Sequence, residues 1–212
     1  MLSLSIFSSS QRISVAIYEG TSLKVFAEKK IESNKIDRIF LLLKKVIKNK
    51  EKKIKKIFYS VGPGSFTAIR SIKSIAEGIS SVYNAEILTI NDFEIYLTKT
   101  GLQKNDVIVF FEVTKNKYFY RYFQYNKNSY KADSNYSSGE LNKVLKFINE
   151  KKKKKRNLRV VSNSNSNFKM LKNFNDKEKF ICKPNAKKIA EAIFMGFGKI
   201  NQKIIYYNTY YE

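Results

Sequence analysis

The chain contains no histidine. Metal centres built on imidazole are therefore excluded, as is acid–base chemistry that relies on that ring. Its single cysteine, Cys182, excludes a disulfide framework and fits a reducing, cytoplasmic setting. No apolar run approaches the roughly 18 residues that a membrane-spanning helix needs, so no membrane association is expected. The opening stretch MLSLSIFSSSQR has no basic residue ahead of its apolar part, unlike a secretory signal. Arginine is scarce as well, at positions 12, 38, 70, 121, 156 and 159.

Lysine is what the chain has in excess. The 41 Lys and Arg against 18 Asp and Glu leave a net charge of +23 over 212 residues. A basic RNA-binding module is one reading of that charge. The runs KNKEKKIKK (48–56) and EKKKKKR (150–156) nevertheless lie among abundant Asn, Ile, Tyr and Phe, the joint enrichment that AT-rich coding produces. Bidentate readout of bases and phosphates is arginine's work, so solvated lysine faces are the preferred reading. KYFYRYFQYNK (117–127) interleaves cations with aromatics as a nucleic-acid platform would, but its alternation reads more simply as a strand. A hydrophobic fraction of 43% is enough to bury a core.

Periodicity places strands at 2–7, 12–18, 22–28, 55–60 and 85–90. Helices are predicted over about 34–50 and 66–82, with Asn91 and Glu94 opening a short one as a capping box. The order then repeats: strands at 106–113, 117–125 and weakly 129–133, a helix at 137–150, a strand at 158–162 and a further helix. SNSNSN (162–167) reads as a loop. Pro184 starts a closing helix, and KIIYYN (203–208) is extended. Strand-strand-strand-helix-strand-helix, twice, is the plan of the duplicated α/β fold of actin-like ATPases. The expected lobes are residues 1–100 and 101–212.

YSVGPGSFTAIR (59–70) joins a strand to a helix. A P-loop needs lysine after its closing glycine, and a dinucleotide fingerprint needs a third glycine where Thr67 stands. Gly62, Pro63, Gly64 and Ser65 instead read as a structural turn of type II, with positive φ at Gly64 and Ser65 capping the helix. On that helix Phe66, Ile69, Ile72, Ala76 and Ile79 form a core stripe. Ala68, Ser71, Ile75, Gly78 and Val82 form a second track of mostly small residues, open to a partner. On the preceding helix Ile36, Ile39, Phe40, Leu43, Val46 and Ile47 make a core stripe, which Leu41 and Leu42 overrun.

VGPGSFTAIRSIKSIAEGIS (61–80) closely resembles the Gly-Pro-Gly-Ser-Phe-Thr-Gly-Leu-Arg segment of the TsaB family, bacterial tRNA threonylcarbamoyladenosine biosynthesis proteins. The resemblance extends to strand order and chain length. It implies two RNase-H-like lobes of the actin-like ATPase fold. It also implies a non-catalytic partner of the homologous catalytic subunit TsaD, with the ATPase TsaE joining them and tRNA engaged through the complex. The expected partner face is Ile36, Leu42, Ala68, Ser71, Ile75 and Gly78, set against TsaD or a second copy in a homodimer. No catalytic residue, cofactor or metal ligand is assigned.

Departures from the family's pattern sharpen this. Phe7, in IFSS, stands where the family carries an aspartate, and phenylalanine cannot organise a metal and phosphates. Glu112 is followed by VTKNK near the family's Asp-Ala-Arg, Ala68 replaces a glycine, and IIYYN only loosely matches the family's ending. Protease chemistry, an older label for the group, is discounted because no paired-histidine metal site can form. A degenerate actin-like ATPase and a basic RNA-binding module are the alternatives.

Overall fold

Leu2, Leu4 and Ile6 alternate with Ser3, Ser5 and Phe7 along β1 (Leu2–Ser8), and both sets are buried. A strand with two covered faces needs layers on each side of its sheet, and that requirement organises the first unit. In the computed structural model the described residues are 1–9, 12–30, 37–48, 53–64, 66–99, 101–102, 104–114, 116–133, 135–155, 157–200, 202 and 204–205. The chain divides into Met1–Ile95 with Pro184–Glu212, and Tyr96–Lys183.

In the first unit β1, β2 (Arg12–Glu19) and β3 (Ser22–Lys30) form an antiparallel meander. After α1 (Asp37–Ile47), β4 (Ile54–Ser60) pairs with β1 in parallel. After α2 (Phe66–Tyr83), β5 (Glu86–Ile90) pairs with β4 in parallel, and α3 (Asp92–Tyr96) follows. The sheet order is β3-β2-β1-β4-β5. Helices α1 and α2 cover the Leu2–Leu4–Ile6 face. The opposite face is covered by the last helix, Ala186–Phe194, which packs on Phe7, Ala16, Tyr18 and Phe58. Ser5 donates its hydroxyl hydrogen to the Ala186 carbonyl at 2.7 Å, and the Ser14 hydroxyl accepts the Ala186 N–H at 2.9 Å. The serines that give β1 and β2 their polar look thus fasten a helix start, and Ser14 gives a partner to an N–H that the helix itself leaves unpaired.

The second unit repeats the plan with β6 (Asp106–Thr114), β7 (Lys117–Asn126), β8 (Ser129–Ala132), β9 (Ser137–Gly139), α4 (Leu141–Lys154), β10 (Leu158–Ser162) and β11 (Lys179–Ile181). Its order, β11-β10-β6-β7-β8 with β9 on β7, is the first sheet's order read backwards. β6, β7 and β8 are antiparallel, while β10 and β11 run parallel to β6.

Several expectations need correction. The closing helix, α5 (Ala186–Phe194), belongs to the first unit rather than to a lobe running from 101 to 212, because its apolar face fits the serine-and-phenylalanine side of the first sheet. The helix expected from 137 starts at Leu141, since Ser137–Gly139 pairs with β7. Between β10 and β11 the described residues hold no α-helix, only 3-10 turns at Asn165–Phe168 and Asp176–Glu178 that lead into β11, a strand missed in the sequence. The α1 prediction is shorter than expected among described residues, and its leading part, Ile36 included, lies outside them. Of the extended tail at 203–208, only 204–205 are described, and there the Ile205 N–H donates to the Val61 carbonyl at 2.8 Å.

Candidate docking site

The Gly-Pro-Gly turn sets the direction of α2, and its glycine requirement lies at a different residue from the one expected. Gly62 has φ +98 and precedes a cis Gly62–Pro63 bond, whereas Gly64 is not in the positive-φ region. A Cβ on Gly62 would lie 2.4 Å from the Ile205 carbonyl oxygen and 2.9 Å from the Gly64 nitrogen. Neither backbone atom can give way, so only glycine fits. The type II expectation fails: the positive φ stands at Gly62, two positions before Gly64, where the closing segment crosses the turn. Ser65 lies outside the described residues, and so does its expected cap.

The turn is tied into its own unit. The Ser60 hydroxyl donates to the Asp92 carboxylate and accepts the Gly62 N–H at 3.0 Å. The Asp92 N–H donates to the Gly62 carbonyl at 2.7 Å. Burial pushes the Asp92 carboxyl up to about 7, against the Ser60 hydrogen bond, which favours the charged form. Asn91 caps α3 as expected, accepting the Phe93 N–H at 2.9 Å while Glu94 accepts the Asn91 N–H at 3.3 Å.

Between α1 and α2 lies a groove of about 720 Å³. Its floor is Leu43, Ile47, Ile54, Ile75 and Ile79, continuous with the core. Ser71, Ser74 and Gly78 form a low wall on α2. Phe40, Lys44 and Arg70 stand at its edges. The Ser71 hydroxyl is turned back to the Thr67 carbonyl at 2.8 Å, and the Arg70 guanidinium lies 3.9 Å over the Phe66 ring. Phe40 is 56% exposed, and Leu41 and Val82 on the same helices reach 70% and 72%. A Cβ on Gly78 would meet nothing within 4 Å. Glycine inside a helix costs about 0.5–1 kcal/mol relative to alanine, and no contact among the described residues offsets it.

The residues of the expected partner face therefore divide. Ser71 and Gly78 line the groove, half-buried and exposed respectively. Ile75 forms its floor and is buried in the core beside Ile72, contrary to a solvent-facing placement, because the second track lies too near the sheet side of α2. Ala68 is buried for the same reason. Leu42 is half-buried and packs on the core without lining the groove. Phe40, expected in the core, stands out at the edge instead; it lies at the margin of its stripe, where periodicity decides least. Lys44 and Ser74 were missed, and only the pairing of the two helices brings them together.

The departures also have structural uses. Phe7 is buried against α5. Glu112 accepts the Asn116 N–H at 3.1 Å in the turn between β6 and β7. Among the described residues no group of three His, Cys, Asp or Glu is placed to hold a metal ion, and no helix is long and apolar enough to cross a membrane.

Residues 24–195 match the family model described as TsaD: tRNA N6-adenosine threonylcarbamoyltransferase. The chain belongs to this family. Its TsaB members are represented by a tRNA threonylcarbamoyladenosine biosynthesis protein TsaB from Buchnera aphidicola subsp. Acyrthosiphon pisum, 29% identical over 198 residues, covering 91% of this chain and 88% of that one. YeaZ from Pseudomonas aeruginosa superposes with a TM-score of 0.69 at 12% identity, over 94% of this chain and 97% of the other. The ethanolamine utilization protein EutJ from Carboxydothermus hydrogenoformans does so with 0.53 at 11%, over 90% and 89%. The chain is a TsaB-family protein with the duplicated, RNase-H-like fold of the actin-like ATPases.

Proposed function

We propose that the chain is the accessory, non-catalytic subunit of a complex making threonylcarbamoyladenosine in tRNA, and that its catalytic, TsaD-like homologue docks in the groove between α1 and α2. A TsaE-like ATPase and tRNA join through that complex, and no cofactor is assigned to this chain. Family membership supports the role in threonylcarbamoyladenosine biosynthesis. The observation that carries the docking reading is Gly78: a helix-interior glycine whose side-chain space is empty within the unit. Such a residue is explained by a second backbone approaching from outside. Phe7, buried where a phosphate-organising carboxylate would stand, supports the accessory role.

The test uses the catalytic homologue from the same source. Gly78→Phe projects a ring into the groove and leaves the fold intact by circular dichroism, while calorimetry reads affinity for the homologue. A loss of at least tenfold is expected, about 1.4 kcal/mol or more. Unchanged affinity overturns the docking reading. The isolated chain is expected to make no threonylcarbamoyladenylate, and robust turnover by it would overturn the accessory role.

A further inference from the structure

The fold sorts the lysine run at the end of α4. Lys151, Lys152 and Lys155 pair with Asp133 at 2.6 Å, Glu178 at 2.5 Å and Asp106 at 3.5 Å. Lys146, Lys153 and Lys154 are exposed on the other side of the helix, with Asn142, Asn149 and Glu150 between them. Glu150 is the carboxylate of that face. Lys143, at its margin, reaches back to the Ser138 carbonyl at 3.4 Å. β8 adds Lys131, exposed opposite Gln124 on the sheet face that Tyr122 turns to α4.

We propose that this face of the second unit, formed by Lys131, Lys146, Lys153 and Lys154, holds the phosphate backbone of tRNA without reading its sequence. The inference rests on the role in tRNA modification proposed above and adds a contact made by this chain itself. The negative C-terminal end of a helix favours cations in its last turn, which accounts for Lys153 and Lys154. It does not account for Lys146, two turns earlier, or for Lys131 on a strand. A lysine ammonium is a point charge that meets phosphate oxygens and lacks the planar fork that reads a base edge. Phe147, the aromatic residue of α4, is half-buried against Tyr120, so the face offers bases no stacking platform. An anionic membrane is the poorer occupant, because this face carries no apolar side chain to enter the headgroup layer. The net charge of +23 draws an RNA in from a distance, an attraction weakened by salt.

The probe is unmodified tRNA, titrated with the full chain by fluorescence anisotropy between about 50 and 200 mM salt. Binding is expected to weaken with salt and to be equal for tRNAs of different sequence. Replacing Lys131, Lys146, Lys153 and Lys154 by Gln is expected to lower affinity at least about tenfold at the low-salt end. The log–log salt slope should flatten by about 3, since each phosphate contact contributes roughly 0.7–0.9. Arginine at the same four positions keeps the charge and is expected to keep the binding. A control removes the same charge from exposed positions of the first unit, Lys29, Lys30, Lys45 and Lys48. It is expected to lose under about threefold, the share of general attraction. Absence of tRNA binding by the wild-type chain, equal losses in the two glutamine variants, or an arginine variant that loses as much overturns the inference. So does a glutamine variant that loses phosphatidylserine vesicles and keeps tRNA. Affinity for the catalytic homologue reads the docking proposal separately: the α4 variant is expected to leave it unchanged, and Gly78→Phe to leave tRNA binding by the isolated chain unchanged. Homologue binding that survives Gly78→Phe removes the docking reading while loss of tRNA in the α4 variant still supports this surface.

Discussion

The two units share one strand order and differ in what lies beside the first helix on the sheet. In the first unit α1 has α2 as its neighbour, and small residues on α2 leave the space between them open. In the second unit no α-helix lies beside α4 among the described residues. Phe168, Leu171 and Phe174, from the irregular segment after β10, pack with Val144 and Ile148 into the core instead. Lys152 of α4 closes over this segment, pairing with Glu178 at 2.5 Å and lying 4.6 Å over the Phe174 ring. One half seals its helix layer with its own chain, and the other leaves a vacancy bounded by helices. A repeated fold thus keeps an open groove in one copy and a filled core in the other through loop and helix content, without change to its sheet.

Opposed phenylalanine deletions test that contrast most strongly. Phe174 is 3% exposed and Phe40 56%. Phe174→Ala leaves a cavity under α4 and is expected to cost about 3–5 kcal/mol by urea unfolding, whereas Phe40→Ala stays within about 0.5 kcal/mol. Equal costs would mean that the first unit's groove edge is sealed like the second unit's core.

A carboxyl in each unit gives the next largest effect. Asp106 accepts from the Tyr122 hydroxyl at 2.5 Å and the Tyr125 N–H at 3.0 Å, and faces Lys155 at 3.5 Å. Asp92 is half-buried at the turn, and desolvation raises its carboxyl to about 7 in the folded chain, against an ordinary value of 3.8. The folded state therefore binds the extra proton between those values, so stability falls as pH rises from about 4 to about 7 and is level beyond. Asp92→Asn keeps an acceptor for Ser60 and removes the ionisation. It is expected to flatten that slope and to exceed wild type at pH 8 by roughly 2–3 kcal/mol. With no histidine to confuse the window, a slope that survives the substitution would assign it to another group.

Much of this was legible in the sequence, and the failures have physical causes. Alternation located β1 but not the burial of Ser3 and Ser5, because a strand's polar face looks the same whether water or a helix start satisfies it. The lysine run was read as solvated throughout, yet Lys151 pairs with Asp133 at 2.6 Å and lies 4.2 Å over Tyr122. Those partners are distant in sequence and invisible to a local charge count. Lys153 and Lys154 remain exposed as read. Replacing Lys151 and Lys152 by Gln is expected to cost about 1–2 kcal/mol, and replacing Lys153 and Lys154 under 0.5 kcal/mol, in thermal unfolding at low salt. Equal effects would show that the aromatic contacts contribute nothing. The groove was half legible: the small-residue track marked Ser71 and Gly78, but depth within the helix layer, which decides Ile75 and Ala68, depends on where α1 lies.

The smallest effect bears most directly on the vacancy. Gly78 and Gly139 are both glycines beside a helix-layer surface, one in each unit. At Gly139 an added Cβ would come within 2.7 Å of the Lys143 side chain, while at Gly78 it meets nothing within 4 Å. If Gly78 served the unit's own packing, alanine there would clash or leave stability unchanged. Because it sits in open space inside α2, Gly78→Ala is expected to stabilise the isolated chain by about 0.5–1 kcal/mol, through helix propensity and a less flexible unfolded state. Chemical denaturation should read this as a raised midpoint at constant slope. The same methyl group must weaken a close backbone approach if the groove receives a helix, so affinity for the catalytic homologue should fall as stability rises. Stability and binding that move in the same direction would show that the glycine is retained for the fold, and the contrast between the two units would then lose its functional meaning.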